Sequence, residues 1–257
     1  MGNCQNLYTW ADNTFYEWVD TSYTEFGECY NTALYQVWKD DCYIYTVTSS
    51  GLDIFDVNST NKVAYINNSY GFTTIWGNID TIYLGTTSNG IKYLEKSTIS
   101  GGDLEINLQD YDFYYNSSSN EIRYLHGYNH TLAVVTDSSI DVLYNNEQGF
   151  KSTVSGTNFT KCFLTSKNEL YYVIHDNSFD VLCKINSIFC DWVNPSSFYR
   201  AGESFLPEDV KINDIFITEN TSSTGEDNTI FVATTSGVFI VDEQTNKYNI
   251  YYTEGAY

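Results

Sequence analysis

Five times between residues 42 and 242 the chain repeats one short pattern: an apolar run, a turn of Thr, Ser, Asn or Gly, and a second apolar run. The copies are CYIYTVTSSGLDIFD (42–56), TIYLGTTSNGIKYL (81–94), TLAVVTDSSIDVLY (131–144), ELYYVIHDNSFDVLCKI (169–185) and TIFVATTSGVFIVD (229–242). Internal repetition constrains a fold more than local propensity does, because each unit must bury its apolar faces against its neighbours.

Each unit reads as a β-hairpin. Val, Ile, Tyr, Phe and Thr suit a pleated, buried surface. Ser49-Ser50-Gly51 and Ser88-Asn89-Gly90 supply residues that tolerate positive φ or bond locally to the backbone. Ser138-Ser139 and Asn177-Ser178 hold the same place without glycine. A further strand is expected before each hairpin, at Leu34–Trp38, Thr73–Trp76, Ile122–Leu125, Lys161–Leu164 and Ile212–Ile217, and a more polar one can follow, as at Lys62–Ile66 and Lys247–Tyr252. The first residues after the turns, Leu52, Ile91, Ile140, Phe179 and Val238, are spaced by 39, 49, 39 and 59 residues. Four strands at about that spacing make one antiparallel sheet per repeat.

The units resemble β-propeller blades of sensor and extracellular propellers. The kernel that carries the resemblance stands at Thr234–Gly237 and, with one insertion, at Thr86–Gly90, and the likeness covers roughly residues 31–257. It implies an all-β fold, a β-propeller of five four-stranded blades. Six blades are the alternative if residues 1–30 add strands, for which Leu7–Trp10 and Phe15–Val19 are suited. The preferred division is an N-terminal arm or outer strand over 1–30 and the propeller over 31–257. A pair of β-sandwiches or an irregular barrel fits the regular spacing less well. Trp-Asp dipeptides and a kelch double glycine at a blade position are both missing, so neither of those families is assigned. Ser117–Asn120 and Glu219–Asn228 read as exposed loops, not domain boundaries.

Charge narrows the partners. Lys+Arg number 12 against 33 Asp+Glu, a net charge of −21. A phosphate-backbone binder needs a basic stripe, and anionic lipid repels such a chain, so neither nucleic acid nor membrane insertion is expected. With 42% apolar and 17% aromatic residues the chain can bury a core, which sets it apart from disordered sequences. The segment MGNCQNLYTWADNTFYEW has no basic or apolar signal region, so no secretory leader is expected. Asn6 occupies the place where a myristoylation signal wants Ser or Thr.

The chemistry-bearing residues form no catalytic constellation. Cys4, Cys29, Cys42, Cys162, Cys183 and Cys190 include no Cys-x-x-Cys pair. They read as buried thiols, with Cys183–Cys190 and Cys29–Cys42 as the local disulfide alternatives. His126 and His130 flank an expected turn at Gly127-Tyr128-Asn129 and could meet at one metal, although an isolated pair is more often incidental. His175 stands where other repeats have Thr or Ser, which suggests a turn role. Asp110-x-Asp112 and Asp56/Asn58/Thr60 have oxygen ligands at calcium-loop spacing, but equally describe solvated turns. Gly101-Gly102-Asp103 is a loop without a following helix, and no nucleophile elbow or phosphate loop occurs. The sequons at Asn58, Asn67, Asn116, Asn129, Asn158 and Asn220 follow from Asn, Ser and Thr richness. The expectation is a protein without catalytic residues, metal or cofactor, and not an enzyme.

Aromatics say more. The 24 Tyr serve core packing first, and beyond it a contact surface, because Tyr and Trp combine apolar area with a polar handle. Tyr8, Trp10, Tyr16, Trp18, Tyr114 and Tyr115 are the candidate partner or glycan contacts. The Asn-, Tyr- and Thr-rich, Lys-poor composition resembles that of phage and other virion proteins. That resemblance implies a structural or interaction module on the virion exterior, its arm docked on neighbouring capsid or tail subunits. The alternative is an extracellular, glycan-binding adhesin that meets a host-surface glycan. A five-bladed glycoside hydrolase comes third.

Overall fold

The computed structural model describes residues 7–11, 14–19, 22–28, 33–99, 108–110, 121–144, 151–176, 179–188, 197–200, 210–219, 228–242 and 247–251. The described part is strand throughout, apart from a 3-10 turn at Lys96–Ile99 and connecting loops. Two compact units divide the chain, Met1–Ile122 and Arg123–Tyr257.

The first unit opens with a three-stranded meander, β1 (Leu7–Ala11), β2 (Thr14–Val19) and β3 (Ser22–Glu28). Blade 1 follows, with β4 (Leu34–Lys39), β5 (Tyr43–Thr48), β6 (Gly51–Asp56) and β7 (Lys62–Asn67) in that order. Blade 2 has β8 (Phe72–Gly77), β9 (Thr81–Thr86), β10 (Ile91–Glu95) and β11 (Gln109–Asp110).

The second unit holds three blades. Blade 3 is β12 (Tyr124–Tyr128), β13 (Thr131–Val135), β14 (Ser139–Leu143) and β15 (Lys151–Ser155). Blade 4 is β16 (Phe159–Leu164), β17 (Leu170–Asp176), β18 (Phe179–Ile185) and β19 (Ser197–Arg200). Blade 5 is β20 (Ile212–Thr218), β21 (Thr229–Thr234), β22 (Gly237–Asp242) and β23 (Lys247–Tyr251). Five antiparallel four-stranded sheets in chain order, each opened by the strand before the repeat hairpin, are the expected blades.

Within each unit the cores lie between consecutive blades. In the first unit Tyr45, Val47, Leu52 and Ile54 of blade 1 pack with Phe72, Ile75, Ile82 and Leu84 of blade 2. In the second, successive residues of β17 enter different cores. Tyr172 joins the cluster shared with blade 3, while Tyr171 and Val173 join the one shared with blade 5. A strand covered on both faces reads as a continuous apolar run, which is why the repeat kernels do not alternate. Of the adjacent pair Tyr171 and Tyr172, neither ring reaches solvent, since side chains of opposite parity both meet a neighbouring sheet.

Three local expectations are corrected. The first strand of blade 3 runs two residues later than Ile122–Leu125, because the Ile122 amide bonds to the Thr86 carbonyl of blade 2 and stays outside the ladder. The turn expected between His126 and His130 lies at its end instead. His126, Gly127 and Tyr128 are in β12, and the reversal uses Asn129 at φ 52°. His175 is within β17, paired with Asp180 of β18, not in the turn; that turn, Asn177-Ser178, lies outside the described residues.

Candidate functional site

The first strand of every blade carries an irregularity at its start. Register shifts lie between Leu34 and Gln36, Phe72 and Thr74, Phe159 and Lys161, and Ile212 and Asp214. In blade 3 the amide of Arg123 bonds to the Val135 carbonyl while Tyr124 is already the register partner of Val135. A bulge re-aims the side chains that follow it. The residues just past the irregularity are Gln36, Thr74, Tyr124, Lys161 and Asp214, one polar-tipped side chain per blade.

These residues find one another within each unit. The buried Thr74 hydroxyl donates to Gln36 Oε1 at 2.5 Å, and the Ile75 amide donates to the same oxygen at 3.0 Å. In the second unit the Tyr124 hydroxyl donates to Asp214 Oδ1 at 3.1 Å, where the Ile215 amide also donates, at 2.9 Å. Lys161 Nζ stands 4.3 Å from the centre of the Tyr124 ring. Burial, reinforced by the Asp214 charge, pushes the Tyr124 phenol well up, so it stays protonated as a donor. Burial likewise raises the neighbouring Cys162 thiol, which removes it as a nucleophile.

A second cluster joins blades 4 and 5. Lys184 Nζ pairs with Glu169 Oε1 at 2.9 Å and stands 5.0 Å from the centre of the Tyr171 ring. Asn228 Nδ2 donates to Glu169 Oε2 at 2.7 Å and to the Tyr171 hydroxyl at 2.9 Å. All four side chains are buried. Asn228 ends the stretch expected to be an exposed loop; residues 220–227 lie outside the described residues, but this end is anchored in the interior. The pattern gave no warning of it, because its partners are 57 and 59 positions away.

The other sequence candidates fall as follows. His126 is half-buried against the Phe163 ring, 4.0 Å between centres, and its Nδ1 accepts the Leu164 amide at 3.0 Å. Burial pushes its imidazole down to about 3, so it is a neutral acceptor whose Nδ1 is committed to backbone. His130 is exposed. Asp56 turns its Oδ1 to the amides of Asn58 and Ser59, at 3.0 and 2.7 Å, which holds its carboxyl below the usual range. The Asp56/Asn58/Thr60 loop is a backbone-bonded turn. Asp110 lies in β11 and Asp112 outside the described residues. Cys42, Cys162 and Cys183 are free thiols, the first exposed and the others buried; Cys4, Cys29 and Cys190 lie outside the described residues.

Of the contact aromatics, Tyr114 and Tyr115 lie outside the described residues. The backbone register pairs Tyr8 with Glu17 and Trp10 with Phe15, and pairs Tyr16 with Thr9 and Trp18 with Leu7. The post-bulge row was missed. Its sequence signal is a polar-tipped residue two places after the apolar start of each blade: LYQ, FTT, IRY, FTK and IND.

No family model matches the chain, and no curated protein matches its sequence. Solved structures do match its fold. Kluyveromyces lactis Hsv2 aligns with a TM-score of 0.57 at 12% identity, over 95% of this chain and 79% of that one. The N-terminal domain of Nup159 aligns at 0.56 and 12%, over 95% and 72%. Saccharomyces cerevisiae Sqt1 aligns at 0.58 and 8%, over 85% and 63%. At such identity the likeness speaks for architecture alone, and the architecture is the β-propeller.

Proposed function

We propose that this protein is a non-catalytic interaction scaffold, a propeller that holds partner proteins in a larger assembly. The observation that carries this reading is on β7, the outer edge strand of blade 1. Val63 and Tyr65, two apart on its outer face, are 36% and 39% exposed, while Ala64 and Ile66 pack on the core. An edge strand with an open apolar row is a docking template. The charge of −21 disfavours nucleic acid and anionic lipid as partners.

We infer further that the assembly is a virion, a phage capsid or tail, with the propeller on the exterior and residues 1–30 as the arm that docks on neighbouring subunits. The Asn-, Tyr- and Thr-rich, Lys-poor composition supports this reading. Purified particles from the natural source test it. The protein should sediment with them, and Val63→Glu should release it without lowering its thermal midpoint. Recovery of the natural protein only as a free 29.4 kDa species refutes the scaffold reading.

A second reading is a glycan-binding adhesin, favoured by Tyr128, 43% exposed beside the Asn129-His130 turn. Glycan-array binding lost in Tyr128→Ala would establish it, and a silent array would dismiss it.

A further inference from the structure

Among the described residues Lys62, Lys92, Lys96, Lys161 and Lys184 stand over aromatic rings; three of them also pair with an acid, and Lys161 does not. Lys62 lies over Phe55 and Tyr65 and pairs with Asp53 at 2.9 Å. Lys96 lies over Trp38 and pairs with Asp40 at 2.7 Å. Lys184 lies over Tyr171 and pairs with Glu169 at 2.9 Å. In each the carboxylate closes on the ammonium. Lys161 lies over Tyr124, but the acid of this group, Asp214, closes on the Tyr124 hydroxyl instead. Among the described residues no carboxylate forms an ion pair with Lys161.

The result is an open pair of opposite charges. The ring face balances part of the Lys161 charge but accepts none of its three N–H donors in the directed way a carboxylate does. Asp214 Oδ1 takes two donors, Tyr124 and Ile215, and Oδ2 keeps its own lone pairs. Lys161 is half-buried and Asp214 exposed, so both are reachable from solvent, unlike the buried Lys184–Glu169 pair. All three residues sit just past the strand irregularities of blades 3, 4 and 5, on backbone fixed by sheet pairing.

We propose that Lys161, Tyr124 and Asp214 form a binding site for a small zwitterion, a molecule with a carboxylate and an ammonium on one short skeleton, of which an α-amino acid is the simplest. The ligand carboxylate meets Lys161 and the ligand ammonium meets Asp214, while Tyr124 holds the two protein charges apart. This site is independent of the edge strand invoked for assembly.

The test is a calorimetric titration of the full chain with glycine, β-alanine and γ-aminobutyrate, using acetate and methylammonium as single-charge controls. At least one amino acid should bind saturably, with both controls weaker by about tenfold or more. Lys161→Met and Asp214→Asn should each cost about tenfold in affinity with thermal midpoints near that of the unaltered protein. Acetate binding as tightly as the best amino acid, or no saturable binding by any of the three, overturns the proposal. The ligand series on the unaltered protein decides the matter even if a variant fails to fold.

Discussion

Asn228 reaches from the start of β21 to Glu169, at the start of β17, and its side-chain amide donates to that carboxylate at 2.7 Å. The same nitrogen serves the Tyr171 hydroxyl, and Lys184 closes the other carboxylate oxygen. A buried pair of charges is tolerable only when its remaining hydrogen-bonding capacity is met. Asn228→Leu strips two bonds from buried partners and should lower unfolding stability by about 1–3 kcal/mol. Lys184→Met, which leaves Glu169 charged and unpaired, should cost more, about 3–5 kcal/mol. Urea denaturation of both variants checks the order; equal costs would show that the amide and the ammonium are not separate supports.

The repeat turns share one device. The hydroxyls of Thr48, Thr86, Thr136 and Thr234 donate to the carbonyls of Gly51, Gly90, Ser139 and Gly237, and each accepts an amide of its own turn. In blade 4 the equivalent residue is His175, whose Nδ1 lies 2.7 Å from Asp180 Oδ1. Asp180 Oδ2 in turn accepts the Ile212 amide of blade 5 at 2.6 Å. Thr234→Val keeps shape and loses the hydroxyl, so it should cost about 0.5–2 kcal/mol, while Thr234→Ser should retain most of that stability. Thermal midpoints of the two variants separate hydrogen bonding from packing.

The hairpins were legible because both faces of each inner strand are covered, and a continuous β-branched and aromatic run between polar turns has few other uses. Blade spacing followed from them. Strand starts were less legible: bulges at Tyr35, Thr73, Thr160 and Asn213 shift the register, and apolar patterning does not mark such shifts. The buried polar residues were not legible at all. Asp180 and Asn228 find partners 32 to 59 positions away, and only the packing of one blade on the next reveals that an acid or amide there is satisfied.

Gly85 shows how tightly β9 is packed in blade 2. A Cβ at this position would stand 2.5 Å from Thr74 Cγ2 and 2.6 Å from Ile122 Cγ2. Both neighbours are buried and have no free space to retreat into. Gly85→Ala should therefore destabilise by about 1–3 kcal/mol even though alanine is the better strand former. Denaturant midpoints measure this, and an unchanged midpoint would mean that β9 can shift within its sheet.

Cysteine reactivity should divide by burial. Cys42 is exposed, while burial raises the Cys162 thiol and pushes the Cys183 thiol up to about 11. Thiolate is the reacting form. Brief alkylation of the native protein followed by peptide mapping should label Cys42 and spare Cys162 and Cys183, both of which should react in denaturant. Native labelling of Cys162 would contradict its place in the core between blades 3 and 4.

His126 makes stability depend on pH with a definite sign. Its folded imidazole is pushed down to about 3 by burial, against about 6.5 in an unfolded chain. Between these values the unfolded state binds the extra proton, so stability is fully present above about pH 6.5 and falls as pH is lowered, by at most about 1.4 kcal/mol per pH unit. Other groups titrate in the same window, so the comparison must be a difference. His126→Asn offers an uncharged acceptor to the Leu164 amide and carries no titrating proton. Urea midpoints of the native protein and this variant, each taken at pH 7.5 and 5.5, should diverge on acidification, with the native protein losing more. Parallel losses would mean that His126 takes up its proton in the folded state, and that its bond to the Leu164 amide does not hold it neutral.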